Sequence, residues 1–212
     1  MKRIFSLISA LIITATLLLS AQPARAADSA AAMEAYKAVL QNKATFYSTD
    51  DKKDYKLNEF DYWSEDSNYP LQVVRFAVID MGDDGIPKVV LELTTGFDGA
   101  FEVLHYEDGR VYGFNRPYRG MLDLTADGIY EGSNGAADSG FYKASIKKES
   151  YKEEALGYSK SGADGSESYT VGQSKVTKGQ WDEFLGKMWA HARENAAVWH
   201  DFTDENITSV LK

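Results

Sequence analysis

Three aspartates crowd the segment FAVIDMGDDGIPKVVLEL, residues 76–93: Asp80, Asp83 and Asp84, followed by Gly85. Carboxylates at alternate positions before a glycine bend are what a calcium loop offers a hard cation. With Asp80 as position one, Asp84 falls at five and Gly85 at six. The match stops there. Gly82 holds position three, Lys88 position nine and Leu91 position twelve, and a strand pattern follows where a helix is required. An EF-hand is excluded. The expected structure is a tight acidic turn whose Asp side chains bond backbone amides. Weak calcium binding by Asp80, Asp83 and Asp84 is the alternative, with Lys88 as an internal substitute for the ion.

A second constellation lies in YEDGRVYGFNRPYRG, residues 106–120. Arg110, Arg116 and Arg119 fall within ten residues, with Tyr112, Phe114 and Tyr118 between them. A guanidinium is a planar fork for carboxylate, phosphate or sulfate, and aromatic rings offer flat faces to sugars or peptide side chains. These six residues form a candidate ligand-binding set. The alternative is packing, with the rings in the core and the arginines paired to neighbouring acids. Arg110 and Arg116 stand at an even offset, so an unbroken strand puts them on one face with Tyr112 and Phe114. Pro117 ends or bends that strand and uncouples Arg119 from the other two.

Other chemistry is thinly represented. His191 and Glu194 sit one turn apart, but the H-E-x-x-H pattern of a zinc helix is missing. There is no G-x-S-x-G, no phosphate loop and no cysteine. Asp98, Glu102, Glu107 and Asp123 are the acids from which a glycoside-cleaving pair would be drawn, since such a pair needs only spatial proximity. No cofactor is implied apart from the calcium alternative.

The elements that must position these residues follow from periodicity. Met33, Tyr36, Leu40, Ala44 and Tyr47 predict a helix over about 30–46. Trp181, Phe184, Leu185, Met188, Trp189 and Ala192 predict a second, opened by the capping box Thr177-x-x-Gln180. A short helix is expected from Thr203, burying Ile207, Val210 and Leu211. LQVVRFAVID and KVVLELTT read as central strands. FEVLHYEDGRVYGF reads as a hairpin turning at Asp108-Gly109. Further turns are expected at Asp127-Gly128, near Lys148 and at Gly172-Gln173. Residues 159–168 and 133–140 read as polar loops. The fold class is α+β: an antiparallel β-meander of about seven or eight strands forming one curved sheet, packed by N-terminal and C-terminal helices.

The chain opens with Lys2 and Arg3, an apolar run from Ile4 to Leu19, and Ala24-Arg25-Ala26. That is the pattern of a cleaved signal peptide over residues 1–26. The apolar run is short for a membrane span of about 20 residues. Lipid attachment at this cut is excluded by the lack of cysteine. Residues 27–212 would then form one α+β domain. Loss of Lys2, Arg3 and Arg25 leaves 20 basic residues against 32 acidic, moving the formal net charge from −9 to −12. Such a surface argues against nucleic acid as a partner. No membrane association is expected after cleavage.

FAVIDMGDDGIPKVVLEL resembles the D-x-D/N-x-D-G-x-x-E strand–loop–strand of FG-GAP and VCBS-type extracellular repeats. It departs from them at Gly82 and Lys88. YKAVLQNKATFYSTDD, VVRFAVIDMGDDGIPKVVLEL, FEVLHYEDGRVYGFNRPYRGM and VTKGQWDEF together resemble uncharacterised secreted proteins and lipoproteins of Gram-positive, clostridia-like bacteria. This second resemblance covers nearly all of residues 27–212. It implies an extracellular or cell-envelope protein and carries over no catalytic residue. The function expected is a secreted, non-catalytic binding or envelope-associated module for an extracellular or envelope ligand. The alternatives are a small extracellular hydrolase using an acidic pair and a secreted enzyme inhibitor.

Overall fold

The computed structural model describes residues 28–59, 71–82, 84–96, 99–135 and 138–212. The expected signal segment, Asp83 and Asp98 lie outside the described residues. Helix α1 covers 28–40. It buries Ala32, Tyr36, Val39 and Leu40, a stripe at steps of four, three and one. The helix ends six residues sooner than its periodicity predicts. Asn42 adopts a left-handed φ of 57°, which stops the helix, and Phe46 then enters strand β1 (Phe46–Ser48). Strand β2 (Lys53–Tyr55) turns back on β1.

The central strands form as their sequences require. β3 (Gln72–Ile79), β4 (Lys88–Thr94), β5 (Gly99–Glu107) and β6 (Arg110–Pro117) are consecutive antiparallel neighbours. The β5–β6 turn places Asp108 and Gly109 at φ 53° and 80°, the two positive values of a two-residue hairpin. At Pro117 the meander breaks. A 3-10 turn at Tyr118–Gly120 and an irregular stretch carry the chain off the sheet. The strands after it, β7 (Ile129–Gly135), β8 (Asp138–Lys147), β9 (Ser150–Ser161), β10 (Glu167–Val171) and β11 (Ser174–Val176), pair among themselves.

The architecture is therefore α+β with two sheets, not one curved meander. The first has seven strands in the order β12-β3-β4-β5-β6-β1-β2, and the second five in the order β11-β10-β9-β8-β7. Two edges of the first sheet come from far along the chain. β1 joins β6 in parallel, and β12 (Trp199–Asp201) joins β3. Residues 133–135 and 138–140 extend β7 and β8 where a loop was expected.

The sheets stack face to face between helices. One face of the first sheet, with Phe76, Val89, Leu91, Leu93 and Leu104, packs under α1 and under α3 (Asp204–Val210) through Ile207 and Leu211. The hydroxyl of Tyr36 donates to the Pro87 carbonyl at 3.0 Å and accepts from the Tyr106 amide at 2.8 Å, tying α1 to the sheet. The opposite face, with Ala77, Val90, Phe101, Val103 and Phe114, meets Tyr130, Ala144 and Ile146 of the second sheet. Helix α2 (Lys178–Glu194) covers the outer face of that second sheet. Its Phe184 and Trp189 meet Phe141 edge-on, and Trp181 stacks on Tyr169. The predicted capping box forms between Thr177 and Gln180, and Thr203, where a short helix was expected to begin, caps α3. Among the described residues no helix is long and apolar enough to cross a membrane.

Candidate functional site

A cleft of about 480 Å³ opens where the first sheet, the 118–124 stretch and the C-terminal half of α2 meet. Its position follows from the break at Pro117. The chain leaves β6 there and runs into the 118–124 stretch, which forms one wall of the cleft. The cleft walls are fixed by main-chain contacts. The Ala126 amide donates to the Asn195 carbonyl at 2.8 Å, and the Ala197 amide to the Leu124 carbonyl at 2.9 Å. His191 Nε2 lies 3.1 Å from each Asp127 carboxylate oxygen, clamping the end of α2 to the Asp127-Gly128 turn. Burial works against the charge of Asp127, but the hydrogen bonds from Thr125 and His191 hold its pKa below the ordinary range.

Four aromatic rings line this cleft: Phe101, Tyr118, Trp189 and Trp199. Tyr118 is 47% exposed and stacks on Phe101 with centroids 5.8 Å apart and planes 10° from parallel. The Arg75 guanidinium lies 4.7 Å from the Trp199 ring centroid and pairs with Glu92. Arg193, in the last turn of α2, also lines the cleft and has no ion-pair partner among the described residues. Asp123, exposed, faces it from the 118–124 stretch. The site thus combines flat apolar faces with a guanidinium that has no ion-pair partner among the described residues, the usual make-up of a small-ligand site.

The arginine–aromatic segment divides three ways. Arg110, Tyr112, Phe114 and Arg116 do share one face of β6, as their parity requires, but that face lies against the second sheet. Tyr112 is 8% exposed and Phe114 4%. Arg110 pairs with Asp54 at 2.7 Å and stacks over Tyr47, 4.1 Å from its centroid. Arg116 pairs with Glu153 at 2.5 Å, and Glu153 also accepts from the Tyr130 hydroxyl at 2.6 Å. These four residues therefore pack and pair instead of presenting an open platform. Only Tyr118 reaches the cleft. Arg119, exposed, lines a second hollow of about 350 Å³ beyond Leu122.

The aspartate turn is organised by Lys88. Its ammonium is fully buried and lies 2.7 and 2.8 Å from the two Asp84 oxygens and 2.5 Å from the Ile86 carbonyl. Asp84 also accepts from the Ile86 amide at 3.0 Å, an Asx turn of the predicted kind. Both carboxylate oxygens and the loop carbonyl are thus engaged by a side-chain cation at the place a loop cation would take. Asp80 is exposed and acts on Lys88 only through its charge. Burial pushes the Lys88 pKa down, and Asp84 opposes that shift. Beside this pair lies His105, whose Nε2 is 3.0 Å from Glu107 Oε2 while its buried Nδ1 has no hydrogen-bond partner among the described residues.

Among the described residues the candidate acids do not converge. Glu102 and Glu107 stand at odd offset on β5 and face opposite sides of the sheet. Glu102 is buried beside Asn115 and Phe46, and burial, then the charge of Asp50, pushes its pKa well up. Of the acids singled out from sequence and described here, Asp123 alone lines the cleft. Sequence reasoning missed Arg75, Trp189, Arg193 and Trp199 as site residues. Trp189 did carry a signal, as part of the apolar face of α2, but that face also reads as core.

No protein-family model matches this chain, and no curated protein or solved structure resembles it significantly. The class of protein is thus set by architecture and site alone: two stacked sheets between helices, with an aromatic, arginine-bearing cleft at one end.

Proposed function

We propose that the protein is an exported binding module that holds a small extracellular or envelope ligand in the cleft between Trp199, Tyr118 and α2. The observation that carries this reading is Arg193. Its guanidinium, exposed and without an ion-pair partner among the described residues, lines a cleft of about 480 Å³ that also offers four aromatic rings. The signal-like residues 1–26 and the resemblance to secreted Gram-positive proteins support export. Tight clamping of the cleft by Asn195, Ala197 and His191 supports a preformed site, which lowers the ordering cost of binding.

Titration calorimetry of residues 27–212 against panels of saccharides, amino acids and short peptides tests this. Tyr118→Ala and Arg193→Ala should each weaken any ligand found by about tenfold or more, while Arg110→Ala leaves it unchanged. Binding that survives both cleft substitutions, or that depends on Arg110, would place the site elsewhere.

A further inference from the structure

Leu122 lines both the cleft and the second hollow, and the neighbours Tyr118 and Arg119 face the two spaces separately. The chemistry changes across it. The cleft is aromatic, whereas the second hollow is lined by the hydroxyls of Ser139, Ser159 and Ser161 and by the carboxylates of Glu131, Asp138 and Glu167. We propose that the two hollows form one groove for a linear oligosaccharide, with the aromatic cleft and the hydroxyl–carboxylate hollow as successive subsites. The proposal rests on the cleft being the ligand site and adds the ligand class and the second subsite.

Three observations carry it. First, Tyr118, half exposed and stacked on Phe101 at 5.8 Å, and the Trp199 ring, with the Arg75 guanidinium 4.7 Å from its centroid, are flat apolar surfaces held by their neighbours. They suit the C–H faces of a sugar ring, and ring rigidity keeps the entropy cost of contact low.

Second, the far hollow offers hydroxyls, which both donate and accept, beside carboxylates, which only accept. That is the complement of a polyol, whose every hydroxyl needs a partner of each kind. Its groups are only partly bonded to one another. Ser139 Oγ and Ser159 Oγ stand 3.4 Å apart, Ser159 donates to the Ser139 carbonyl at 3.3 Å and Glu167 accepts from the Tyr169 hydroxyl, whereas buried Asp138 Oδ1 has no hydrogen-bond partner among the described residues. An extended peptide would instead add to a sheet edge or fill apolar side-chain pockets; β7 is the edge of the second sheet, but at the hollow the main chain of its Glu131 is already paired with Leu122.

Third, three carboxylates against the single Arg119 set the sign of the hollow. A polyanion such as nucleic acid or an acidic glycan is repelled, whereas a neutral or amino-substituted chain is not. Together, about 480 and 350 Å³ form a run of adjacent subsites, each within the size range of a ligand pocket of about 300–1,000 Å³.

The test is calorimetric titration of residues 27–212 with cello- and chito-oligosaccharides of two and of six units, with a neutral hexapeptide alongside. The six-unit chain should bind about tenfold tighter than the two-unit chain. The combined variant Ser139→Ala, Ser159→Ala, Glu167→Gln should remove that gain and leave two-unit binding unchanged. Tyr118→Ala should weaken both. Thermal melts of each variant establish that it is folded. A two-unit ligand that binds through Tyr118 with no gain on lengthening would leave the cleft as a site and overturn the groove. A length gain that survives the triple substitution, preference for the hexapeptide, or no saccharide binding at all would each overturn the saccharide assignment. The cleft reading is judged separately, by titration of the Trp189 and Trp199 indole N–H resonances.

Discussion

Lys88 inserts its ammonium between both carboxylate oxygens of Asp84, at 2.7 and 2.8 Å, inside a turn that reads from sequence like a defective calcium loop. The two partners differ in exposure: the Lys88 side chain is wholly buried and that of Asp84 is 34% exposed. Removing one partner of a buried pair strands the other, and the stranding is costlier where water cannot reach. Asp84→Ala should therefore destabilise the protein by about 3 kcal/mol, and Lys88→Met by clearly less, because the freed Asp84 can hydrate while Met keeps the stem packed. Urea unfolding of both variants checks the order. The reverse order would mean that Asp84 is the more deeply desolvated partner.

The same pair predicts the response to calcium. With both Asp84 oxygens and the Ile86 carbonyl already bonded to Lys88, melts in EDTA and in millimolar calcium should coincide within a few degrees. Even a site of millimolar affinity adds only about 0.4 kcal/mol at that concentration. A shift beyond about ten degrees, which for a domain of this size corresponds to several kcal/mol, would show that a metal displaces the lysine.

Glu102 and His105 give the stability–pH profile its shape. Burial first, and then Asp50, raises the folded pKa of Glu102 well above its unfolded value. Its contribution is therefore present at acid pH and is lost as pH rises through the raised value. Burial lowers the folded pKa of His105, against the pull of Glu107, so its contribution is present above the ordinary histidine range and is lost as pH falls through the lowered value. Glu102→Gln should stabilise the protein at pH 8 relative to wild type and change little at pH 4. Urea titrations at the two pH values read this directly. Equal effects at both would mean that Glu102 titrates as an ordinary carboxylate.

Gly113 is the tightest point where β1 docks on β6. A Cβ there would come within 2.6 and 2.7 Å of the Phe46 ring and would also strike Glu102. Phe46 is completely buried and cannot swing away. Gly113→Ala should cost about 2 kcal/mol or more through overpacking. Gly157→Ala meets the half-buried Phe184 ring at 2.5 Å and should cost less, since that ring lies at the edge of α2 and can shift. Thermal melts of the two variants decide between them.

Local rules made much of this fold legible. The capping box at Thr177 and Gln180, the cap at Thr203 and the positive-φ hairpin at Asp108-Gly109 each depend on neighbouring residues only. What could not be read was non-local. The parallel docking of β1 on β6 and the addition of β12 to β3 join segments more than 60 and 120 residues apart. The split into two sheets depends on where the chain goes after Pro117. A strand pattern does not say which sheet a strand joins. The candidate site shows the same division. Parity correctly put Arg110, Tyr112, Phe114 and Arg116 on one face, but not what covers that face. The cleft draws Arg75, Tyr118 and the Arg193–Trp199 segment from three separate stretches, so no sequence window contains it.

The central claim is that the cleft beside Trp199 receives a ligand. The most direct measurement is an NMR titration of the indole N–H resonances of ¹⁵N-labelled protein against the saccharide, amino-acid and peptide panels. Trp189 and Trp199 line the cleft, whereas Trp181 stacks on Tyr169 away from it. At least one class of compound should move the Trp189 and Trp199 signals saturably, leave Trp181 in place, and lose its effect in Arg193→Ala. Saturable shifts at Trp181 alone, or none at Trp189 and Trp199 with any panel, would contradict the account.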